Sequence, residues 1–164
     1  MMVKSFLEGW KNRQNSIVVF AGVFDPVHNG HLSAAKKALH FGSKVVFLPE
    51  RVPQHKHSAT AYEHRLNMLR IATEDNANFV VLDYPKDHHW VVETFSWLSK
   101  KFPDSGFVWL MGQDVEGSIA SWKDIEKLHD SGVKSVLVMG REHNFSVYLE
   151  ELHGVEVIHT HRRS

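Results

Sequence analysis

Ile17-Val18-Val19-Phe20-Ala21-Gly22-Val23-Phe24-Asp25-Pro26-Val27-His28-Asn29-Gly30-His31 is the stretch that decides the fold. Residues 17–21 run apolar without alternation, three of them β-branched, which is the pattern of a strand buried on both faces. Gly22 ends the run, and the turn-formers Asp25-Pro26 follow. Leu32, Ala35 and Leu39 then recur at helical spacing over 30–41, with Gly42 where a helix C-cap belongs. A buried strand that turns directly into a helix opens a βαβ unit.

The same alternation continues outward. Residues 44–48 read as a second strand stopped by Pro49. Thr60 and Glu63 have capping-box spacing and open a helix carrying Leu66, Leu69 and Ile71. A third strand is expected over 79–82, then a helix striped by Val91, Phe95 and Leu98 that ends before Pro103. Residues 107–111 form a fourth strand, and Ile125 with Leu128 marks a short helix after Trp122. A fifth strand at 135–139, a short helix over 145–152 and a last strand at 155–159 complete the chain. Apolar strands alternating with helices predict α/β architecture: one doubly wound, Rossmann-like parallel sheet with helices on both faces and right-handed crossovers. Residues 1–16, with Phe6, Leu7 and Trp10 on one side, read as a helical extension ahead of a single domain over 17–164.

Composition narrows the class. The 164 residues suit one domain that needs no metal or disulfide staple. Lys plus Arg and Asp plus Glu are both 19, so the balanced charge argues against a nucleic-acid binder. The absence of cysteine excludes a disulfide scaffold, a thiolate nucleophile and Cys-ligated metal. No apolar run approaches the ~20 residues of a membrane span, and the first ten residues make a poor signal peptide. A soluble, cytoplasmic protein is expected. Histidine is abundant, 13 of 164, and position decides what that means; His88, His89, His159 and His161 read most simply as solvent-facing.

In doubly wound sheets ligands bind beyond the carboxyl ends of the strands, so the loop from Gly22 to His31 is the first place to look. His28 and His31 straddle Gly30 where a helix begins. Unpaired N–H groups and the positive dipole end make that point an anion site, and imidazoles three apart add donors on one side of it. A phosphate-bearing ligand fits. The Gly-Lys-Ser/Thr ending of a Walker loop and the three spaced glycines of a dinucleotide fingerprint are both absent. A zinc site on His28 and His31 would need a third ligand.

Gly22-Val23-Phe24-Asp25-Pro26-Val27-His28-Asn29-Gly30-His31-Leu32 resembles the signature of the nucleotidyltransferase superfamily with the His-x-Gly-His motif. Pro53-Gln54-His55-Lys56, then Arg65 to Leu69 with Ala72, then Met111-Gly112-Gln113-Asp114 followed by Trp122, are similar in order and spacing to bacterial nicotinate-nucleotide adenylyltransferases. The resemblance runs from Ile17 to about Arg141 and implies adenylyl transfer from ATP, taken with Mg²⁺, to nicotinate mononucleotide. It implies that His28 and His31 bind the ATP phosphates and steady the charge at the α-phosphorus. Gly22, Val23, Phe24 and Gly30 would line the nucleotide cleft, with Gly112 and Asp114 meeting the ribose. His55, Lys56 and Arg141 would hold acceptor phosphate, and Trp122 would stack on its ring. Asp25 stands equally as a ligand contact and as a turn-former. Arg65 and Met68 read as packing and surface residues. The expected partners are small molecules, with neither nucleic acid nor membrane, and the resemblance leaves a homo-oligomer open.

Two departures bear on the acceptor and on ATP. Where the family carries Ser-Tyr-Thr for the pyridine carboxyl group, this chain has His89-Trp90-Val91, so Trp90 becomes the stacking candidate and Val91 brings no hydroxyl. Nicotinamide mononucleotide, phosphopantetheine or another phosphorylated acceptor therefore stays open. The family's Ser-Ser/Thr-x-x-Arg phosphate motif has no match before the sequence ends at His161-Arg162-Arg163-Ser164. A shortened family member, a modified activity and a non-catalytic nucleotide binder are all compatible with that.

Overall fold

The computed structural model describes residues 15–53, 59–88, 90–112 and 130–139, and the backbone of three short strands beyond them. Eight strands and three helices are described: β1 Ser16–Gly22, α1 Asn29–Ala38, β2 Lys44–Pro49, α2 Tyr62–Thr73, β3 Phe79–Val81, α3 Val91–Lys101, β4 Gly106–Gly112, β5 Val133–Met139, β6 Phe145–Ser146, β7 Glu151–Leu152 and β8 Val155–Ile158. They form one sheet in the order β3-β2-β1-β4-β5-β8-β7, with β6 pairing β5. All pairings from β3 across to β8 are parallel.

β1 is central because its apolar run has neighbours on both sides: Val18 lies between Val45 and Val108, and Phe20 between Phe47 and Leu110. Successive side chains point to opposite faces, so β1 feeds two cores. Val18 and Phe20 pack with Val45, Phe47 and Leu110 under Ala34, Ala35 and Ala38 of α1 and Leu69 of α2. Ile17 and Val19 pack with Val46, Leu48 and Phe107 under Phe95 and Leu98 of α3. The small residues of α1 let its backbone lie close on the sheet. Helices therefore cover both faces, as the uninterrupted apolar strands require.

Four sequence expectations need correction. Gly42 does not cap α1: the helix ends at Ala38, and the Leu39 and His40 N–H groups turn back to the carbonyls of Lys36 and Lys37. Glycine is needed at 42 for close approach instead. A Cβ there would sit 2.9 Å from the Ser16 carbonyl oxygen and 3.1 Å from the Val18 nitrogen, both backbone atoms of β1. Gly42→Ala is expected to cost about 1–3 kcal/mol by forcing that strand outward, read as a lower thermal midpoint against the wild type.

Thr60 does not cap α2. The helix starts from Ala61 with no side-chain cap, and the Thr60 N–H that a capping box would give to Glu63 goes to Asp25 instead. The helix expected over 145–152 is contradicted at both of its ends: Phe145–Ser146 runs antiparallel to β5 and Glu151–Leu152 antiparallel to β8. Phe145, Val147 and Tyr148 in that stretch are strand formers, and antiparallel additions at the margin of a parallel sheet are common. Pro49, expected to stop β2, is its last residue, paired with Gly22. The extension expected over 1–16 and the short helix around Ile125 and Leu128 lie outside the described residues, save that Ser16 opens β1. No described helix is long and apolar enough to cross a membrane.

Candidate active site

Strand order reverses at β1. The chain moves from β1 out to β2 and β3, then returns past β1 to β4 on its other side. The carboxyl ends of β1 and β4 lie side by side at this point, where sheets of this kind hold their ligands. His28 and His31 follow β1, and Gly112 ends β4.

The two histidines cap α1 together. His28 is the N-cap, in extended conformation, and its Nδ1 accepts the Gly30 N–H at 3.1 Å. His31 Nδ1 accepts the His28 N–H at 3.1 Å, closing a reciprocal capping box. The rings stack with centroids 3.7 Å apart. A backbone N–H can only donate, so each Nδ1 that accepts one is bare, and each neutral ring carries its hydrogen on Nε2. The cap thus fixes both tautomers and gives two Nε2–H donors at the positive end of a helix. The first turn of α1 has no acidic residue and the last turn carries Lys36 and Lys37, so nothing in that turn offsets attraction for an anion.

Phe24 supports this pair from below. Buried to 3% exposure, it is the one described non-glycine residue with positive φ, at 48°. Its ring meets His31 edge-on at 5.0 Å and Phe20 at 5.2 Å. Gly22 faces that ring: a Cβ at 22 would lie 3.3 Å from it. Asp25 accepts the Thr60 N–H at 2.9 Å through Oδ2, so the carboxylate ties the β1 loop to the approach to α2.

Arg65 is a packing residue, as its place in the helix suggests, but it packs through hydrogen bonds. It is 1% exposed and donates to the carbonyls of Thr60, Val23, Glu50 and Arg51 at 2.7, 2.8, 2.7 and 3.2 Å. Neither a surface nor an apolar packing role describes it. A signal was present, since Arg65, Leu69 and Thr73 recur at four-residue spacing on the buried stripe of α2. Met68, by contrast, is on the surface as expected.

A second polar group lies beyond β2 and β3. Arg51 pairs with Asp83, donates through Nε to the Tyr84 carbonyl at 2.9 Å, and lies 4.5 Å from the centre of the Tyr62 ring. Tyr62 O–H donates to Asp83 at 2.7 Å. Burial, then this bond, pushes the phenol well above its ordinary range. The neutral form is favoured by folding, so the bond's stabilisation is complete below the unfolded phenol's range and is lost only as pH rises beyond it. An alkaline titration followed by ultraviolet absorbance is expected to lose its last-ionising component in Tyr62→Phe.

On the α3 face, Val19, Ala21, Leu48, Val91, Thr94, Phe95 and Trp109 line a small apolar cleft near the carboxyl ends of β1, β2 and β4. The Thr94 hydroxyl donates to the Trp90 carbonyl at 2.9 Å. Trp90, the N-cap of α3, supplies no side-chain cap and is 60% exposed at the start of the helix that roofs the cleft. His55, Lys56, Asp114, Trp122 and Arg141, together with His89, Arg162 and Arg163, lie outside the described residues. Of the expected site residues, the structure therefore gathers Gly22, Val23, Phe24, Asp25, His28, Gly30 and His31 in one loop, with Gly112 on the neighbouring strand. His88 is exposed, as expected.

Known proteins resolve the family. The cytidylyltransferase-like family profile matches residues 19–160, which is most of the chain. The chain belongs to the cytidylyltransferase-like family. A probable nicotinate-nucleotide adenylyltransferase of Trichormus variabilis is 39% identical over 111 residues, 65% of this chain and 53% of that protein. One from Bacillus mycoides is 39% identical over 119 residues, 68% of this chain and 63% of the relative. The cytidylyltransferase-like chain thus spans between half and two thirds of the length of these relatives. Among solved structures, Plasmodium falciparum nicotinic acid mononucleotide adenylyltransferase complexed with NaAD superposes with a TM-score of 0.64 at 22% identity, over 79% of this chain and 66% of that one. That likeness confirms the doubly wound fold, and the relatives bear out the sequence resemblance.

Proposed function

We propose that this cytidylyltransferase-like chain transfers the adenylyl group of ATP to nicotinate mononucleotide, giving the dinucleotide and pyrophosphate. The observation that carries the reading is the pair of imidazoles that cap α1 at the switch point, each accepting at Nδ1 and so carrying its N–H at Nε2. The names of the relatives support the choice of reaction.

An oxygen of the acceptor phosphate attacks the α-phosphorus in line. The bond from that phosphorus to the bridging oxygen breaks, and pyrophosphate leaves with the electron pair. No side chain needs to become covalently attached, so the protein contributes position and charge. His28 and His31 donate from Nε2 to phosphate oxygens as negative charge gathers there, and the α1 dipole adds to them. Gly22, Val23, Phe24 and Gly30 bring backbone close to the nucleotide, and Gly112 with Asp114 receives the ribose. His55, Lys56 and Arg141 hold acceptor phosphate, with Trp122 and Trp90 against the ring. Asp25 acts here through Thr60, holding the loop. Mg²⁺ enters as Mg-ATP, as part of the substrate. No trio of His, Asp or Glu among the described residues could hold a metal.

The apolar cleft suits a flat ring, and the first-turn amides of α3 at its rim suit a carboxylate. The Thr94 hydroxyl is already committed to Trp90, and Val91 lines the cleft with methyl groups. Discrimination between nicotinate and nicotinamide is therefore expected to rest on backbone donors and to be modest. Pyrophosphate release is measured with Mg-ATP and, in parallel, nicotinate mononucleotide, nicotinamide mononucleotide and phosphopantetheine. Turnover highest with nicotinate mononucleotide and within about 10²-fold for its amide is expected. Turnover with phosphopantetheine alone, or ATP binding with none, overturns the reading.

A further inference from the structure

We propose that Arg65 is a positioning residue for transfer: its buried guanidinium holds residues 23–25 in the conformation that seats His31, without touching substrate. Its four bonds go to carbonyls alone, and they reach three separate segments: Val23 after β1, Glu50 and Arg51 after β2, and Thr60 before α2. Among the described residues no carboxylate pairs with it. A guanidinium is the one side chain that can meet this many diverging carbonyls while staying charged out of water. A residue serving only to fill the core would not need to be a cation.

The segment it grips is held at both ends. Val23 is bonded directly, and Asp25 is bonded through Thr60, whose N–H goes to Asp25 while its carbonyl takes Arg65 Nε. Glu50 adds a third tie, giving its N–H to Gly22 and its carbonyl to Arg65. Between the two fixed ends lies Phe24, with φ of 48°. A phenylalanine leaves that region unless its neighbours prevent it. Because the 23–24 peptide is planar and its carbonyl points at Arg65, the Phe24 N–H is turned to the opposite side. The Phe24 ring in turn meets the His31 ring at 5.0 Å. The chain of contact is Arg65 to Val23 and Asp25, to Phe24, to His31.

The test uses the full chain with Arg65→Lys, Asp25→Ala and, as a control for destabilisation alone, Val45→Ala at the far end of β2. Amide hydrogen exchange is followed in the absence of ligand, and steady-state adenylyl transfer is followed well below each melting temperature. Lysine keeps the charge but cannot span the four carbonyls, so Arg65→Lys is expected to lose protection selectively over 22–32. It is also expected to lower kcat about 10²-fold with little change in the KM for ATP. Asp25→Ala frees the other end and is expected to show the same local exchange change, which keeps a readout if Arg65→Lys does not fold. Val45→Ala should lose stability with kcat intact. The kinetic arm rests on the adenylyl-transfer reading, whereas the exchange arm does not: an inactive wild type refutes that reading and leaves the exchange result to decide positioning. Unchanged exchange over 22–32 in the variants that fold, or a kcat loss in Val45→Ala equal to that in Arg65→Lys, overturns the proposal.

Discussion

His31→Ala is expected to lower adenylyl transfer by about 10²–10³-fold, the cost typical of removing one preorganised donor from a developing negative charge. The loss should fall on kcat. The Nε2–H it removes counts most when charge shifts toward the leaving pyrophosphate, whereas the helix end and His28 still hold ground-state phosphate. Alanine also deletes the acceptor for the His28 N–H, so cap and donor change together, and a second variant must separate them. His28→Asn does so. Asparagine is among the best N-cap residues and can still accept the Gly30 N–H, but it has no imidazole to reach phosphate. Near-normal melting with transfer reduced by about 10²-fold is expected. A His28→Asn chain that turns over normally would show that the histidine serves the helix alone.

Phe47→Ala should produce the largest loss of stability, about 3–5 kcal/mol. Phe47 is fully buried on the central sheet, with Phe20, Phe24 and Phe79 at ring-centroid distances of 5.6, 5.7 and 5.4 Å. A cavity there removes three aromatic contacts at once, and a chain of this length loses roughly 2–4 °C per kcal/mol. The melting temperature should therefore drop by about 6–20 °C. Phe24 also leans on Phe47, so transfer measured well below the melting temperature should fall too. Phe107→Ala on the opposite face is the comparison: it should destabilise similarly and leave the His31 support in place.

What the sequence made legible was what a continuous pattern encodes. Ile17 to Ala21 is apolar on both faces, so a buried parallel strand was readable, and the turn residues from Asp25 to Gly30 placed the site loop beyond it. What stayed hidden was long-range hydrogen bonding. Thr60 and Glu63 have capping-box spacing, yet Thr60 is drawn away by Asp25 and Arg65, partners 35 and 5 residues distant. The true capping box is the His-x-x-His pair, which shares the three-residue spacing but not the usual residue types. Arg65 reads as packing, which its alignment with Leu69 and Thr73 on the buried stripe bears out, but the carbonyls it ties together come from distant segments and left no mark in the sequence. Gly42 was misread for a related reason. A glycine after a helix suggests a cap, and the approach of Ser16 and Val18 becomes visible only when the sheet is assembled.

The central claim is that the His28–His31 crevice directs attack on the α-phosphorus of ATP. The most direct test follows label from the α-phosphate of ATP through the reaction with nicotinate mononucleotide in the wild-type chain. The expected result is label in the dinucleotide, none bound to protein, and one pyrophosphate released per dinucleotide formed. Label retained on the protein, or no labelled dinucleotide despite bound ATP, would contradict it.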